Sequence, residues 1–371
     1  MLRAEGIETP FPNVAEALAH LGYVQVDPLN ICGRMHDLIL RNRVTGYREG
    51  DLMRHLHEPV TAAAGDARDR TGRVAFEHHH PETNVLVAFP LEAWPHLLGA
   101  MRDRSRRTGA WSGRLTPTER KLAPTLLAEI AARGPLGSED FDDDRRAHRI
   151  VWGAASLVKS TLQKLFFHGQ LLIAQRGNGR RRYDLPDRVL PPKILAQMEA
   201  PARETKRWIA LLKVRQRRLA TLKRDELHAV ADAVCTVSVE GCPPLYCLKH
   251  DLAALHAASG ATETSTGTPA PASKSVPTLL LAPLDPLIYD RRVTRALWNF
   301  DYTWEAYTPA AKRLRGHYAL PVLAGTELVG HVEPKVDRRA GRLTVASRSL
   351  RRGYRVAEAL DALAAWLGVA R

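Results

Sequence analysis

Residues 116–185 constrain the fold of this chain most, because a series of predicted helices is followed at once by a predicted β-hairpin. Residues 116–119 read Thr-Pro-Thr-Glu, which is an N-cap pattern, and Gly134 ends the helix that follows. Ser138 can cap a short helix, and residues 154–169 predict a helix that stops at a glycine. Residues 171–185 then predict a strand, a Gly-rich turn and a return strand. Three helices followed by a hairpin are typical of a winged-helix domain.

Cationic and polar side chains concentrate on the last of these predicted helices and on the turn of the hairpin. The candidate DNA contacts there are Lys159, Gln163, Lys164, Arg176, Arg180, Arg181 and Arg182. A recognition helix beside a basic wing is the footprint of a protein that binds duplex DNA. The alternative is a winged-helix domain that contacts another protein.

The charge of the whole chain favours the DNA interpretation. The formal net charge is +14, mostly from arginine, and such a field attracts phosphate polyanions. A GC-rich genome also enriches arginine, so basicity alone adds only moderate support. Residues 102–114 form a further basic stretch around Trp111, which is either a solvated linker or a loop that contacts phosphate.

Composition disfavours several other classes of protein. No apolar run approaches the roughly 18 residues that a membrane-spanning helix needs. The charged N-terminus does not have the pattern of a signal peptide, so we expect a cytoplasmic protein that makes no membrane contact. The four cysteines include no Cys-x-x-Cys pair, and the adjacent His78, His79 and His80 are poorly placed to chelate one ion. We therefore expect no metal site.

An acid and an amide stand together near the N-terminus, behind an apolar helix. If the backbone of residues 24–27 is extended, Val24 and Val26 face the core, while Gln25 and Asp27 project together into solvent or a cleft. A carboxylate beside an amide is what an enzyme would use to hold and activate a water molecule. The alternative is a strand end with two solvated polar residues, since Asp-Pro is also an ordinary turn signal.

This segment, Val24-Gln25-Val26-Asp27-Pro28-Leu29-Asn30 with Arg34 and His36 following, resembles the Gln-x-Asp signature of the bacterial YcaQ/AlkX DNA glycosylases. Relatives of the AlkZ type carry Gln-x-Gln instead. Further segments resemble the same family along most of the chain, at residues 134–136, 165–171, 183–191, 284–292, 300–302, 309–313 and 316–321.

The resemblance implies a monofunctional DNA glycosylase of DNA repair that acts on alkylated purines, both N7-alkylguanine monoadducts and interstrand crosslinks. An N7-alkylated purine already carries positive charge, so it leaves without a general acid. Asp27 is then the expected general base and stabiliser of an oxocarbenium-like sugar, and Gln25 is expected to orient the same water. The remaining candidate contacts to DNA are Asn30, Arg34, His36, Arg43 and Lys312.

The resemblance also implies an α+β fold of tandem winged-helix domains followed by a small C-terminal β-rich domain. The expected segments are an N-terminal winged-helix-like catalytic domain (1–115), a DNA-binding winged helix (116–192), a third winged-helix-like domain (193–256), a flexible linker (257–277) and the β-rich domain with its terminal helix (278–371). Family members usually have more helix before the Gln-x-Asp segment, so we expect a misassigned start or a trimmed first domain. They also often have a His-Glu pair where this chain has Pro81-Glu82.

The expected partner is damaged double-stranded DNA, bound by a monomer associated with the nucleoid, and no organic cofactor is implied. Two other functions remain open at this point. A winged-helix regulator would bind DNA without needing Asp27, and a nuclease would use clustered carboxylates such as Asp142, Asp143 and Asp144 with a divalent metal. Whether the base is flipped from the duplex is also open, although a crosslinked base favours an open groove.

Overall fold

The computed structural model describes residues 1–58, 73–142, 156–177, 179–252 and 277–371. Contacts divide the chain into two compact units of mixed helix and strand. The first unit comprises residues 1–22, 27–51 and 209–371, and the second comprises residues 23–26 and 52–208. The predicted boundaries after residues 115 and 192 both fall inside the second unit, and the separate domains stay a prediction. Apart from Pro277, the predicted linker lies outside the described residues.

Within the described residues, α-helices α1 to α12 span Val14–Leu21, Met35–Arg41, Asp51–His57, Trp94–Arg106, Pro117–Arg133, Leu157–Phe167, Pro186–Val189, Pro192–Leu195, Ala202–Arg217, Arg224–Val230, Arg291–Trp298 and Ala357–Trp366. Strands β1 to β11 span Val24–Gln25, Ala75–His79, Leu86–Pro90, Leu172–Gly177, Arg180–Asp184, Val234–Val237, Leu245–Leu248, Thr278–Leu280, Leu320–Ala324, Glu327–Asp337 and Arg342–Leu350. In this part of the chain, no helix combines the length and apolarity that crossing a bilayer would require.

The first unit is built on a four-stranded antiparallel sheet in the order β11-β10-β9-β8. Helix α2 packs Met35 and Leu38 into the same core as Leu320 and Val322 of β9 and Leu363 of α12. Six of the seven residues of α2 are buried, so this helix has no solvent stripe and is enclosed by the unit. The strands and closing helix predicted for the C-terminal part are confirmed.

The long strand β10 is bent by two irregularities in its pairing. One falls between Leu328 and Gly330 and the other between Glu333 and Pro334. Gly330 has φ +147°, and a Cβ there would lie 2.0 Å from the carbonyl oxygen of Ser349 on β11. Only glycine allows the two strands to approach this closely.

The second unit contains a three-stranded antiparallel sheet in the order β1-β3-β2 and the predicted helix and hairpin elements. Thr116 and Glu119 form the reciprocal capping box of α5, as predicted. Ser156 caps α6, and Gly169 follows the end of that helix with φ +72°. Strands β4 and β5 form the predicted hairpin. The short helix that Ser138 was expected to cap is a 3₁₀ turn over Ser138–Asp140, and Gly137 rather than Ser138 is its N-cap, with Gly137 N donating to Asp140 Oδ2 at 2.7 Å.

Candidate active site and nucleic-acid interface

Gln25 occupies the short strand β1 of the second unit. It lies opposite Val87 of β3, and the pairing continues where Val26 N donates to Leu86 O at 2.9 Å. Val24 and Val26 are buried and Gln25 is partly exposed, so the predicted alternation is confirmed over these three residues. The strand thus presents the Gln25 amide away from the core.

Asp27 begins the next segment of the first unit and is more enclosed than expected. Only 7% of the residue is exposed, so of the two expected surroundings, solvent or a cleft, the low exposure excludes open solvent. Its Oδ1 accepts a hydrogen bond from Leu29 N at 2.9 Å, which is an Asx-turn across Pro28. Burial raises the pKa of the Asp27 carboxyl, and the Leu29 hydrogen bond opposes part of the shift. Asp27 is therefore a held carboxylate with increased affinity for a proton.

Tyr318, which sequence reasoning did not single out, lies near Asp27 in the first unit. The side chain is completely buried, and among the described residues its hydroxyl has no hydrogen-bond partner. Burial raises the pKa of Tyr318 well above its usual range, and the charge of Asp27 adds to the shift. The Trp304 ring packs edge-on at 6.1 Å, and its Nε1 also lacks a partner within the described residues. Tyr318 lies in the segment 316–321, whose family resemblance was the only available signal.

Asn30 is held in place by the turn between β10 and β11. Its Oδ1 accepts hydrogen bonds from Gly33 N at 3.2 Å and from Arg338 Nη2 at 2.9 Å. The same Arg338 nitrogen contacts Glu49 Oε1 at 2.9 Å. Arg34, immediately before α2, is partly exposed, and its side chain caps no helix nitrogen. Arg34 therefore remains accessible, whereas Asn30 helps to order the chain after Asp27.

Two of the expected DNA contacts in this region are buried. His36 is 1% exposed, and its Nε2 lies 3.7 Å from Asp37 Oδ2. Arg43 is fully buried and donates to both oxygens of Asp285 at 2.8 and 2.6 Å, with Glu5 3.3 Å away. A buried guanidinium requires such carboxylate partners. Neither His36 nor Arg43 is accessible to DNA in this structure, so their expected role as DNA contacts is wrong.

Three of the expected contacts in the second unit are held in ion pairs. Lys164 Nζ lies 2.6 Å from Glu119 Oε2, and both side chains are buried. Arg176 pairs with the buried Glu77, and Arg182 pairs with Asp140 at 2.8 Å. These ion pairs give Lys164, Arg176 and Arg182 a structural role that does not require contact with DNA.

The other expected contacts of the second unit remain accessible. Lys159 and Arg180 are exposed, while Gln163 and Arg181 are partly exposed. All four line one cleft between α6 and the hairpin, with a volume of about 610 Å³. In the first unit, Lys312 is exposed on a 3₁₀ turn.

The three adjacent histidines are packing groups. His78 Nε2 lies 3.0 Å from Phe166 O, and the His79 ring stacks on Phe167 at 3.8 Å. Burial lowers the pKa of His78 to about 3 and that of His80 to about 4. Across the described ranges, no group of three His, Cys, Asp or Glu residues is arranged to hold a metal ion. Of the acidic cluster expected for a nuclease, Asp143 and Asp144 lie outside these ranges.

Comparisons with known proteins agree with the resemblance seen in the sequence. Residues 18–368 match the family described as DNA glycosylase AlkZ-like. The structure is similar to that of the Streptomyces sahachiroi DNA glycosylase AlkZ, with a TM-score of 0.57 and 15% sequence identity, over 100% of this chain and 96% of that chain. At this identity the structural similarity shows a shared fold, whereas the sequence match covers nearly the whole chain.

Proposed function

Because this chain belongs to the AlkZ-like DNA glycosylase family and is therefore a DNA-repair enzyme, we propose that it hydrolyses the N-glycosidic bond of alkylated purines in duplex DNA. N7-alkylguanine monoadducts and interstrand crosslinks are the proposed lesions. The observation that carries the proposal is Asp27, a largely buried carboxylate two positions after Gln25 of strand β1. The Gln-x-Asp pair supports the proposal that this chain resembles the YcaQ/AlkX branch of its relatives.

The chemistry requires one carboxylate in two roles. An N7-alkylated purine departs as a neutral base, so positive charge develops on the sugar and the Asp27 carboxylate stabilises it. The same group accepts a proton from the attacking water, a task that its raised pKa favours. Leu29 N occupies Oδ1, and within the described residues no hydrogen bond engages Oδ2, so we assign Oδ2 to the water. Gln25 would orient that water.

The proposed substrate contacts use the cations that the fold leaves accessible. Lys159, Gln163, Arg180 and Arg181 would contact the duplex from α6 and the hairpin, and Arg34 and Lys312 would add phosphate contacts in the first unit. Arginine and lysine at such positions supply the salt-dependent part of DNA affinity.

We extend the proposal to tandem winged helices, a monomeric enzyme and action at the nucleoid. Helices α5 and α6 with the β4–β5 hairpin support one winged helix. Helices α9 and α10, followed by the β6–β7 hairpin, support a further winged-helix-like unit. A crosslinked base cannot be rotated freely out of a duplex, so an open groove suits these substrates better than a closed base pocket.

Release of N7-methylguanine from an alkylated duplex in EDTA tests the function. We expect release by the wild type and a decrease of about 100-fold or more for Asp27→Asn, with duplex affinity retained. Asp187→Asn, an exposed aspartate of the second unit, is the control and should release the base normally. Normal release by Asp27→Asn would overturn the assignment of this carboxylate. Duplex binding without release by the wild type would favour the non-catalytic regulator.

A further inference from the structure

A short loop in the second unit holds Trp111 in a fixed position. Arg114 N donates to Arg107 O at 2.9 Å, which closes the loop on itself. The turn is so tight that a Cβ on Gly113 would lie 2.4 Å from Gly109 N. Any larger residue at position 113 would have to open the loop, so the backbone around Trp111 has little freedom to rearrange.

Side chains at the C-terminal end of α6 and just after it hold this loop by hydrogen bonds to its backbone. His168 Nε2 lies 3.1 Å from Gly113 O, and Lys164 Nζ donates to Arg114 O at 3.4 Å. The Trp111 ring meets the rings of Phe167 at 4.7 Å and His79 at 5.5 Å, both nearly perpendicular. A tryptophan packed on two aromatic rings in this way is positioned before any ligand arrives.

Nevertheless, 46% of Trp111 remains exposed, and the residue lines the cleft of about 610 Å³. That volume lies within the range of small-ligand sites, so a duplex that contacts these side chains would lie across the mouth of the cleft, and only a single nucleotide could enter it. Lys159, Arg180 and Arg181 line the same cleft. Among the described residues, no carboxylate lies within ion-pair distance of these three cations. The cleft therefore combines an aromatic surface with three cations and one carboxylate, Glu139, so its lining is positive on balance.

We propose that this cleft binds one unpaired nucleotide of a DNA strand. The base would stack on Trp111, the cations would hold its phosphates, and Gln163 and Glu139 would hydrogen-bond to the base edge. A base within intact duplex has both faces covered by its neighbours, so stacking on tryptophan selects an unpaired one. The inference rests on the proposed function only for the identity of the polymer as DNA, and the site takes no part in bond cleavage.

Binding of short single strands tests this site. The probes are fluorescently labelled pentathymidylate and an abasic pentanucleotide with the same phosphates. We expect the wild type to bind the base-bearing strand about 5- to 100-fold more tightly. Trp111→Ala should abolish this preference and Trp111→Phe should retain part of it. Lys159→Ala should weaken both probes equally and reduce the salt slope by about 0.7.

The matched control is Tyr307→Ala, which removes an aromatic side chain that is 80% exposed in the first unit. It should leave the preference intact. Equal binding of the two probes by the wild type, or an unchanged preference in Trp111→Ala, would overturn the proposal. Base release from a blunt duplex is measured separately for the wild type. If the wild type releases no base but still prefers the base-bearing strand in a Trp111-dependent way, the proposed glycosylase function is wrong and the nucleotide site is supported.

Discussion

Arg176 forms a two-point ion pair with Glu77 inside the second unit: its Nε donates to Oε1 at 2.7 Å and its Nη2 donates to Oε2. Glu77 lies on β2 and Arg176 on β4, so the pair joins the hairpin to the three-stranded sheet. Burial alone would raise the pKa of Glu77, but Arg176 holds it well below its usual range. His57 Nε2 also lies 2.8 Å from Oε1. Buried electrostatics therefore fix the base of the hairpin.

Removing Arg176 should destabilise the protein. We expect Arg176→Ala to lower the free energy of unfolding by roughly 3 kcal/mol, because the buried Glu77 would lose its two-point guanidinium partner and keep only His57 beside it. Urea unfolding at pH 7 measures the loss. Arg180→Ala, at an exposed position of the same hairpin, should change stability by less than about 0.5 kcal/mol. Equal stabilities of the two variants would show that the pair contributes nothing.

Two lysines of α6 should give opposite results although they are only five positions apart. Lys164→Ala leaves the Glu119 charge buried and should lower the free energy of unfolding by roughly 3 kcal/mol or more. Lys159→Ala removes an exposed cation and should leave stability unchanged. Its duplex affinity should fall, and the slope of log K against log salt should decrease by about 0.9. Thermal unfolding measures the stability of each variant, and salt titration measures its DNA affinity. If both variants lose stability, or both lose only DNA affinity, the different roles assigned to the two lysines are wrong.

Glu5 should make stability depend on pH. Burial raises the pKa of Glu5 to about 7, although the nearby Arg43 charge opposes the shift. A carboxyl whose pKa is raised by folding contributes stability below its unfolded pKa, near 4.3, and loses it as the pH rises through the folded value. Glu5→Gln should therefore gain stability relative to wild type between pH 5 and pH 8, as measured by urea unfolding. The exposed Glu8→Gln is the control, and parallel curves for Glu5→Gln and wild type would contradict the shift.

Tyr318 should matter for the reaction and little for stability. Its buried hydroxyl has no partner within the described residues, so Tyr318→Phe should leave the melting temperature unchanged or slightly higher. Loss of this hydroxyl changes the surroundings of the nearby Asp27 carboxyl, and we expect kcat/KM for N7-methylguanine release to fall by about 2- to 12-fold. Unchanged kcat/KM in a normally folded Tyr318→Phe variant would remove this residue from the site.

Local signals predicted much of the fold. The capping box of Thr116 and Glu119 and the glycine after α6 act over three or four residues, so their patterns can be read without tertiary information. The alternation at Val24, Gln25 and Val26 is local in the same way. The grouping of residues 1–22 and 27–51 with the C-terminal part had no local signal, because it depends on packing between distant segments.

The candidate site was predicted less completely, for the same reason. Arg43 looked like a DNA contact because its partner Asp285 lies 242 positions away in sequence. Lys159 and Lys164 are the same residue type on the same helix. Lys164 is the buried one because Glu119 lies beside it in the folded structure. The burial of Asp27 likewise depends on the structure around it. Family resemblance made Asp27 the candidate carboxylate, but its surroundings could be described only from the three-dimensional structure.

The packing of α2 against β9 has a consequence for the newly synthesised protein. The helix that follows Asp27 emerges from the ribosome long before the strand that contains Leu320 and Val322, because most of the described chain lies between them. At ordinary elongation rates this interval is on the order of tens of seconds. During that time the buried face of α2 has no sheet to cover it, and Asp27 has no completed core behind it. The nascent chain should therefore depend on protection from aggregation until β9 has left the ribosome and can pack against α2.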